Sequence, residues 1–306
     1  MYNEMLPGLA LASVNLVDAA RKKVVVDLLE TRVVSECWGV WKNKLRPFVG
    51  SSPTPTKILE LGTILSETFR ESGQAGRDPS SLSGGGAAWE GLVCYYLNLC
   101  LIGTNAIVFK KRSSVPRPVQ EALTITYGTV PANTESDLVC VTFPADLPAL
   151  ATPLVGRASL AKRLDEVADA HFAELRVTVV QCKTNWNDNA QIPMMWDMLY
   201  NASGFKNGMI MRGRTYHFDP SQFSYAFVTV PTNKLELYNP NSLAVRRVAQ
   251  LSGGNYWGRP QTPGIALDLG QIFNKAGIGP NHGKDIRTSL KEALPRLRDE
   301  YAYFDL

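Results

Sequence analysis

The chain contains few of the residues that build zinc sites and disulfide frameworks. It has five cysteines and three histidines among 306 residues. No two cysteines show CxxC spacing, and His171, His217 and His282 lie far apart along the chain. The pattern therefore excludes the usual ligand sets of a structural zinc site and of an HNH-type nuclease. An odd, scattered set of cysteines instead favours free thiols in a reducing compartment.

Long hydrophobic runs are also missing. The chain has no apolar stretch of about 18 residues, the length that spans a membrane, and its N-terminus lacks the basic and apolar regions of a signal peptide. We therefore expect a cytoplasmic protein of a prokaryote, with no membrane partner.

Neither sign of charge dominates the chain. It has 32 Lys and Arg against 28 Asp and Glu, which gives a formal net charge of +4. This small excess is a weak indication of a polyanionic partner, and an ordinary surface explains it equally well. The positions are more informative, because several basic residues lie beside predicted strand ends where they could grip a duplex: Lys110, Lys111, Arg112, Arg117, Arg212 and Arg214.

The order of the predicted elements indicates an α/β protein. Helical periodicity dominates residues 9–34, 33–45 and 57–70, and the second of these helices is expected to end before Pro47. From residue 87 onward strands alternate with helices, which is typical of a mixed sheet. The predicted elements are helix 87–102, strands 104–110, 122–130 and 137–143, helix 159–173, strand 175–182, helix 189–201, and strands 207–212 and 225–230.

Three regions follow from this order. Residues 1–82 are predicted to be an N-terminal helical region for dimerisation or DNA contacts, followed by a Gly- and Ser-rich loop over 71–86. Residues 83–232 are predicted to form the α/β core, a central mixed β-sheet flanked by helices. Residues 233–306 are predicted to be an irregular C-terminal extension for recognition or dimerisation, packed on the core, with helices over 265–276 and 285–297.

Polar side chains interrupt three otherwise apolar elements. The strand predicted over 175–182 ends in Gln-Cys-Lys, which places Gln181 and Lys183 on one face. Packing alone provides no reason for a core strand to end with an amide beside an ammonium group. Asp137 stands at the start of another apolar strand, and Glu90 lies within an apolar helix. We predict that these elements converge on one site.

Carboxylate and amide oxygens in one place suit a hard divalent cation. Asp137 and Glu90 would be charged ligands of Mg²⁺, with Mn²⁺ as a substitute, and the backbone carbonyl of Cys182 would be a further ligand. Gln181 would offer a neutral oxygen. Lys183 would orient or deprotonate an attacking water and neutralise a phosphate.

Simpler interpretations of both acids remain open. Asp137 could be an Asx-type cap of the loop that precedes its strand. Glu90 could complement the dipole of its helix, because it lies in the first turns. If Asp137 is not the ligand, Asp146 is the next acid along the chain.

The combination of Glu90 in a helix, Asp137 at a strand start and Gln181-x-Lys183 at a strand end resembles the PD-(D/E)XK nuclease superfamily, with Gln in place of the last acid. The string Val-Val-Gln-Cys-Lys resembles the variant in Mrr-like nucleases, and Ala-Ala-Trp-Glu-Gly-Leu-Val resembles their leading helix. The resemblance covers roughly residues 84–212. It implies a four-stranded mixed sheet flanked by helices, and Mg²⁺-dependent DNA cleavage.

The size of the chain and the absence of an ATPase P-loop make it look like a type II restriction endonuclease. Such an enzyme hydrolyses double-stranded DNA at a specific sequence and is usually a homodimer. A cognate DNA methyltransferase would then be encoded nearby. Two alternatives remain: a structure-specific repair or recombination nuclease with the same site, and a catalytically inactive DNA-binding protein in which Gln181 marks a lost metal ligand.

Two segments are candidates for reading bases. One contains Arg212 and Arg214, at the end of a predicted core strand. The other is a glycine-rich loop over 252–264 that carries Asn255, Arg259 and Gln261 on a backbone able to approach a groove closely. The alternative is that this loop is a connector without DNA contacts.

Overall fold

The computed structural model describes residues 15–74, 82–127, 129–133, 136–145, 147–151, 159–185, 210–219, 221–230, 234–252, 255–256 and 285–306. Within these ranges the protein is α/β, with a mixed β-sheet flanked by helices as predicted. No helix in this part of the chain is long and apolar enough to cross a membrane. The helices predicted over 189–201 and 265–276 lie outside the described residues.

The N-terminal part of the structure is helical. Asn15 caps its first helix by accepting a hydrogen bond from the backbone N–H of Asp18 at 2.8 Å. The single helix predicted over 9–34 is wrong, because Thr31 adopts an extended conformation that ends one helix and begins the next. The four helices before the first strand are α1 (Leu16–Glu30), α2 (Arg32–Val49), α3 (Pro55–Gln74) and α4 (Leu82–Cys100).

The predicted end of the second helix before Pro47 is also wrong. The helix α2 continues through Pro47 to Val49, and the N–H of Gly50 then donates to the carbonyl of Arg46 at 2.9 Å. Leu45 and Val49, four residues apart, are both buried in the core. Their burial offsets the cost of about 3 kcal/mol that an interior proline imposes on a helix.

The loop predicted over 71–86 is wrong at both ends, since α3 extends to Gln74 and α4 begins at Leu82. Ala88 and Trp89 anchor α4 in the core, where both are fully buried. Because each added residue of an existing helix gains one hydrogen bond, the helix extends outward over residues of poor helix propensity.

In the described ranges, eight strands form two sheets: β1 (Ala106–Phe109), β2 (Thr124–Tyr127), β3 (Val130–Asn133), β4 (Leu138–Thr142), β5 (Arg176–Lys183), β6 (Ile210–Arg212), β7 (Phe223–Thr229) and β8 (Asn255–Tyr256). The first sheet has the order β1-β4-β5-β7-β8. Its first three strands are antiparallel neighbours, whereas β5, β7 and β8 run parallel. The sheet is therefore mixed, with four full strands and a two-residue fifth.

The second sheet has the order β3-β2-β6 and is antiparallel throughout. The single strand predicted over 122–130 is wrong, because this stretch contains the end of a short helix and part of a hairpin. Pro118 occupies the first turn of that helix, α5 (Arg117–Ala122), where proline needs no N–H partner. Strands β2 and β3 then pair with Thr124 opposite Asn133.

Four further helices complete the described chain: α6 (Pro148–Ala151), α7 (Leu160–Ala170), α8 (Leu243–Ser252) and α9 (Ile286–Ala293). Asp285 caps α9 by accepting from two backbone N–H groups of its first turn, those of Arg287 and Thr288. Within the described part of the C-terminal extension, α9 lies inside the helix predicted over 285–297, and α8 and β8 were not predicted.

The two faces of the first sheet are buried by different helices. On one face Leu138, Val180 and Val228 share an apolar cluster with Val34 of α2 and Leu290 of α9. On the other face the alternate residues of the same strands pack with α1, α7 and α8. Hydrophobic packing does not explain polar side chains in a strand that is buried on both faces. The polar residues at the end of β5, Gln181 and Lys183, therefore need another explanation.

Candidate functional site

The site begins with a difference in strand length. β5 has eight residues and its antiparallel neighbour β4 has five, with Leu138 opposite Val180. The last three residues of β5, Gln181 to Lys183, therefore extend beyond the end of β4. They remain paired on the other side with β7, where Lys183 lies opposite Thr229.

The extension leaves backbone groups of β5 without a strand partner on the β4 side. The N–H of Val177 donates to the carbonyl of Gln222, and the carbonyl of Lys183 accepts from Val230, so odd-numbered residues of β5 direct their backbone to the β7 side. Cys182 consequently directs both its N–H and its carbonyl towards β4. Its N–H donates to Oδ2 of Asp137 at 2.7 Å.

Asp137 is the centre of the contacts at this strand end. Besides the N–H of Cys182, its Oδ2 accepts a hydrogen bond from Nε2 of Gln181 at 2.6 Å. The ammonium group of Lys183 lies 3.4 Å from the same oxygen. The structure thus brings together Asp137, Gln181, Cys182 and Lys183, and the carboxylate of Asp137 accepts hydrogen bonds from the end of β5.

Burial changes the acidity of Asp137. Desolvation raises the pKa of its carboxyl group to about 6, and the charge of Glu90 raises it as well. The charge of Lys183 and the hydrogen bond from Cys182 act in the opposite direction without cancelling the effect of burial. A carboxylate in this place gains from any additional positive charge, and a divalent cation is one source of it.

Gln181 is fully buried, and only one end of its side-chain amide forms a hydrogen bond within the described residues. Its Nε2 donates to Asp137, but its Oε1 has no hydrogen-bond partner among the described residues. A buried amide oxygen without a partner costs on the order of 1–3 kcal/mol. Such an atom beside a carboxylate is a suitable ligand for a cation.

Glu90 and Lys110 form a second carboxylate–lysine pair at the same end of the sheet. Oε2 of Glu90 lies 2.5 Å from Nζ of Lys110, and both side chains are about three-quarters buried, with 22% and 25% exposed. Glu90 comes from α4 and Lys110 directly follows β1. Because Phe109 is paired with Val139, Lys110 lies at the end of the sheet where β4 begins, which is also where Asp137 lies.

We call these residues the strand-end site: Glu90, Lys110, Asp137, Gln181, Cys182 and Lys183. The sequence pointed to Lys110 only as a DNA contact and missed its pairing with Glu90. The signal was available in the alternation of β1, because Lys110 has the parity of Val108, which packs in the same cluster as α4.

The donor set of the strand-end site fits a hard divalent cation. It offers the carboxylates of Asp137 and Glu90, the unpartnered Oε1 of Gln181, and the carbonyl of Cys182 on the β4 side. Within the described ranges no three His, Cys, Asp or Glu side chains are grouped as a metal site. Mg²⁺ requires fewer protein ligands than that, because it keeps several waters and binds through one or two carboxylates.

The predicted DNA contacts near β1 lie in three different environments. Lys111 is exposed. Arg112 is directed inward, where its Nη2 donates to Oγ1 of Thr124 at 2.9 Å, and burial lowers the pKa of its guanidinium group. Arg117 is exposed but bound to the carboxylate of Asp165, at 2.6 Å from Nε.

The second group of predicted DNA contacts is only partly described. Arg214 is exposed beyond the end of β6, and Arg212 is a residue of that strand. Asn255 was predicted to lie in a loop, but it belongs to β8, which pairs with β7 through Phe227. Arg259 and Gln261 lie outside the described residues, as does Asp146, the alternative acid.

No protein-family model matches this chain, and no curated protein or solved structure matches it either. The comparisons therefore neither support nor oppose the resemblance to the nuclease superfamily that the sequence motif suggested.

Proposed function

We propose that the protein is a Mg²⁺-dependent endonuclease that hydrolyses phosphodiester bonds of double-stranded DNA at a specific sequence, in the manner of a type II restriction enzyme. The observation that carries the proposal is the contact of Asp137 with Gln181, Cys182 and Lys183, at the mouth of a mixed sheet. The motif that resembles PD-(D/E)XK nucleases in sequence is thus also assembled in space. The restriction-endonuclease-like core and the homodimer belong to the same proposal.

Each residue of the strand-end site has a role in this reaction. Asp137 and Glu90 provide the charged oxygens that hold Mg²⁺, with Mn²⁺ as a substitute, and Gln181 provides a neutral oxygen. Lys183 orients the attacking water and faces the negative charge that develops on the phosphate. Bound Mg²⁺ supplies charge stabilisation and a more acidic water.

The lysines keep the site neutral when no cation is bound. Lys183 lies against Asp137, and Lys110 lies against Glu90, so two positive charges balance two negative ones. A cation that takes over the two carboxylates leaves both ammonium groups free to contact phosphate. The site therefore attracts DNA more strongly with Mg²⁺ than without it.

The test is cleavage of plasmid and phage DNA by the purified protein, with Mg²⁺ and with EDTA. Discrete fragments are expected with Mg²⁺ only, and Asp137→Ala or Lys183→Ala should reduce the rate by at least about a hundredfold. The matched controls are Lys162→Ala and Glu166→Ala, an exposed lysine–acid pair on α7 outside the strand-end site. Both controls should cut at the rate of the wild type.

The pattern of products distinguishes the competing functions. Cleavage of branched or junction DNA without discrete plasmid fragments would favour a repair nuclease. Tight DNA binding without any Mg²⁺- or Mn²⁺-dependent cutting would favour an inactive DNA-binding protein. Folded Asp137→Ala and Lys183→Ala variants that cut at the wild-type rate would refute the site assignment.

A further inference from the structure

The second sheet lies at the same end of the first sheet as the strand-end site. The chain leaves β1 at Phe109 and returns in β4 at Leu138, and Phe109 is paired with Val139. Everything between them, including α5, β2 and β3, therefore starts and ends beside Asp137. Strand β6 comes after β5 and Lys183 along the chain, and it joins the same sheet by pairing with β2.

Arg112 holds this sheet in place. Its Nη2 donates to Oγ1 of Thr124 at 2.9 Å and to the carbonyl of Gln120 at 3.4 Å. The carbonyl of Thr124 in turn accepts from the N–H of Gly213 at 2.8 Å, which ties the end of β6 to the start of β2. Arg112 therefore links the segment that follows β1 to the start of the second sheet.

The hairpin that β2 and β3 form carries an exposed apolar edge. The β3 side of the second sheet has no further strand in the described chain, and Val130 on it is 64% exposed. Thr129 and Pro131 beside it are exposed as well. An exposed apolar edge strand invites pairing with another chain, but Pro131 has no N–H for a ladder, so a second copy is a poor partner.

Two exposed cations flank the second sheet. Lys111, two residues after β1, and Arg214, two residues after β6, are both exposed. The neighbouring cations Lys110 and Arg117 are instead paired with Glu90 and Asp165. Lys111 and Arg214 are therefore the positive charges with which this sheet would contact a polyanion.

We infer that the second sheet is a DNA-contacting arm: the edge from Thr129 to Pro131 lies in a groove of the duplex next to the scissile phosphate, and Lys111 and Arg214 contact the flanking phosphates. The inference rests on the proposed function for its ligand, double-stranded DNA. It also assigns Arg112 to positioning the arm rather than to the duplex.

Binding of a labelled mixed-sequence duplex in EDTA tests the arm separately from cleavage. Val130→Glu places a negative charge on the edge and should weaken binding by about tenfold or more. Asn43→Glu adds the same charge at an exposed position of α2, which packs on α3 and α4 and not on the second sheet, and should stay within about twofold of the wild type. The double variant Lys111→Ala, Arg214→Ala should lower the log–log salt slope of binding by about 2.

The outcomes separate the arm from the proposed function. Mg²⁺-dependent cleavage by the wild type, together with Val130→Glu binding as tightly as Asn43→Glu, would overturn the arm alone. A shift of Val130→Glu to a smaller oligomer without loss of DNA affinity would overturn it in favour of an interface between copies. A wild-type protein that neither binds nor cuts DNA would overturn both.

Discussion

Removal of the buried charge at Asp137 should stabilise the protein. The carboxyl group has a pKa of about 6 in the folded chain, against 3.8 in the unfolded chain. A difference of about 2 pKa units corresponds to roughly 3 kcal/mol by which ionisation opposes folding. The substitution Asp137→Asn keeps an oxygen that can accept from Gln181 and Cys182, and it removes the charge.

The direction of the pH dependence follows from the raised pKa. Below about pH 3 the carboxyl group is protonated in both states, so wild type and Asp137→Asn should be equally stable. Between the unfolded pKa of 3.8 and the folded pKa of about 6, the unfolded chain has lost a proton that the folded wild type still holds. The advantage of Asp137→Asn should therefore grow from about pH 3 to pH 7 and then stay constant.

Thermal unfolding in EDTA measures this difference. For a chain of 306 residues, unfolding entropies of about 2.1 cal/mol/K per residue convert roughly 3 kcal/mol into a rise in Tm of roughly 5 °C near pH 8. Added Mg²⁺ should raise the Tm of the wild type and should have less effect on Asp137→Asn, which has lost a ligand.

Asp285 provides a control of opposite sign. Its pKa is lowered by hydrogen bonds, chiefly from Thr288, so its ionised form favours folding. Asp285→Asn should therefore lose stability, and the loss should be the same from about pH 5 to pH 8 because it fades only as the pH falls through the lowered pKa. An Asp137→Asn variant that is no more stable than the wild type near pH 8, or whose advantage persists unchanged at about pH 4, would refute the buried-charge argument.

Two further substitutions test the neighbouring contacts. Gln181→Glu should retain cleavage or shift the preference between Mg²⁺ and Mn²⁺. Glu90→Ala should impair cleavage, and most strongly at limiting Mg²⁺. Full activity of Glu90→Ala at limiting Mg²⁺ would show that Glu90 has a purely structural role. Arg21→Met should lower the free energy of unfolding by about 3–5 kcal/mol in chemical denaturation. The reason is that the fully buried guanidinium group of Arg21 donates to the carbonyls of Thr104 and Ala106, at 2.9 and 2.8 Å. A loss below about 1 kcal/mol would contradict this.

The sequence predicted the α/β class and the paired polar residues because both depend on short-range alternation. The parity of β5 places Gln181 and Lys183 on one face, whatever the rest of the fold does. Element boundaries were predicted less well where packing overrides local preference. Pro47 remains inside α2 because Leu45 and Val49 are buried, and no local rule contains that information.

The hairpin of β2 and β3 escaped prediction for a different reason. Residues 122–130 have the composition of one strand, and the turn between Tyr127 and Val130 interrupts it without changing the apolar pattern. The alternation of β1 indicated the face on which Lys110 lies, but its pairing with Glu90 also depends on the packing of α4 against β1, which no local pattern contains.

The strand-end site can be understood as a consequence of unequal strand lengths. Because β4 begins only at Leu138, the N–H of Cys182 has no backbone acceptor on that side, and the side chain of Asp137 takes that place. The carboxylate is buried there, which raises its pKa, and the neighbouring Oε1 of Gln181 has no hydrogen-bond partner among the described residues. Two more residues at the start of β4 would satisfy the backbone and abolish the site. Under the proposed function, a cation and a phosphate would be held at this end of β5, which lacks a strand partner on the β4 side.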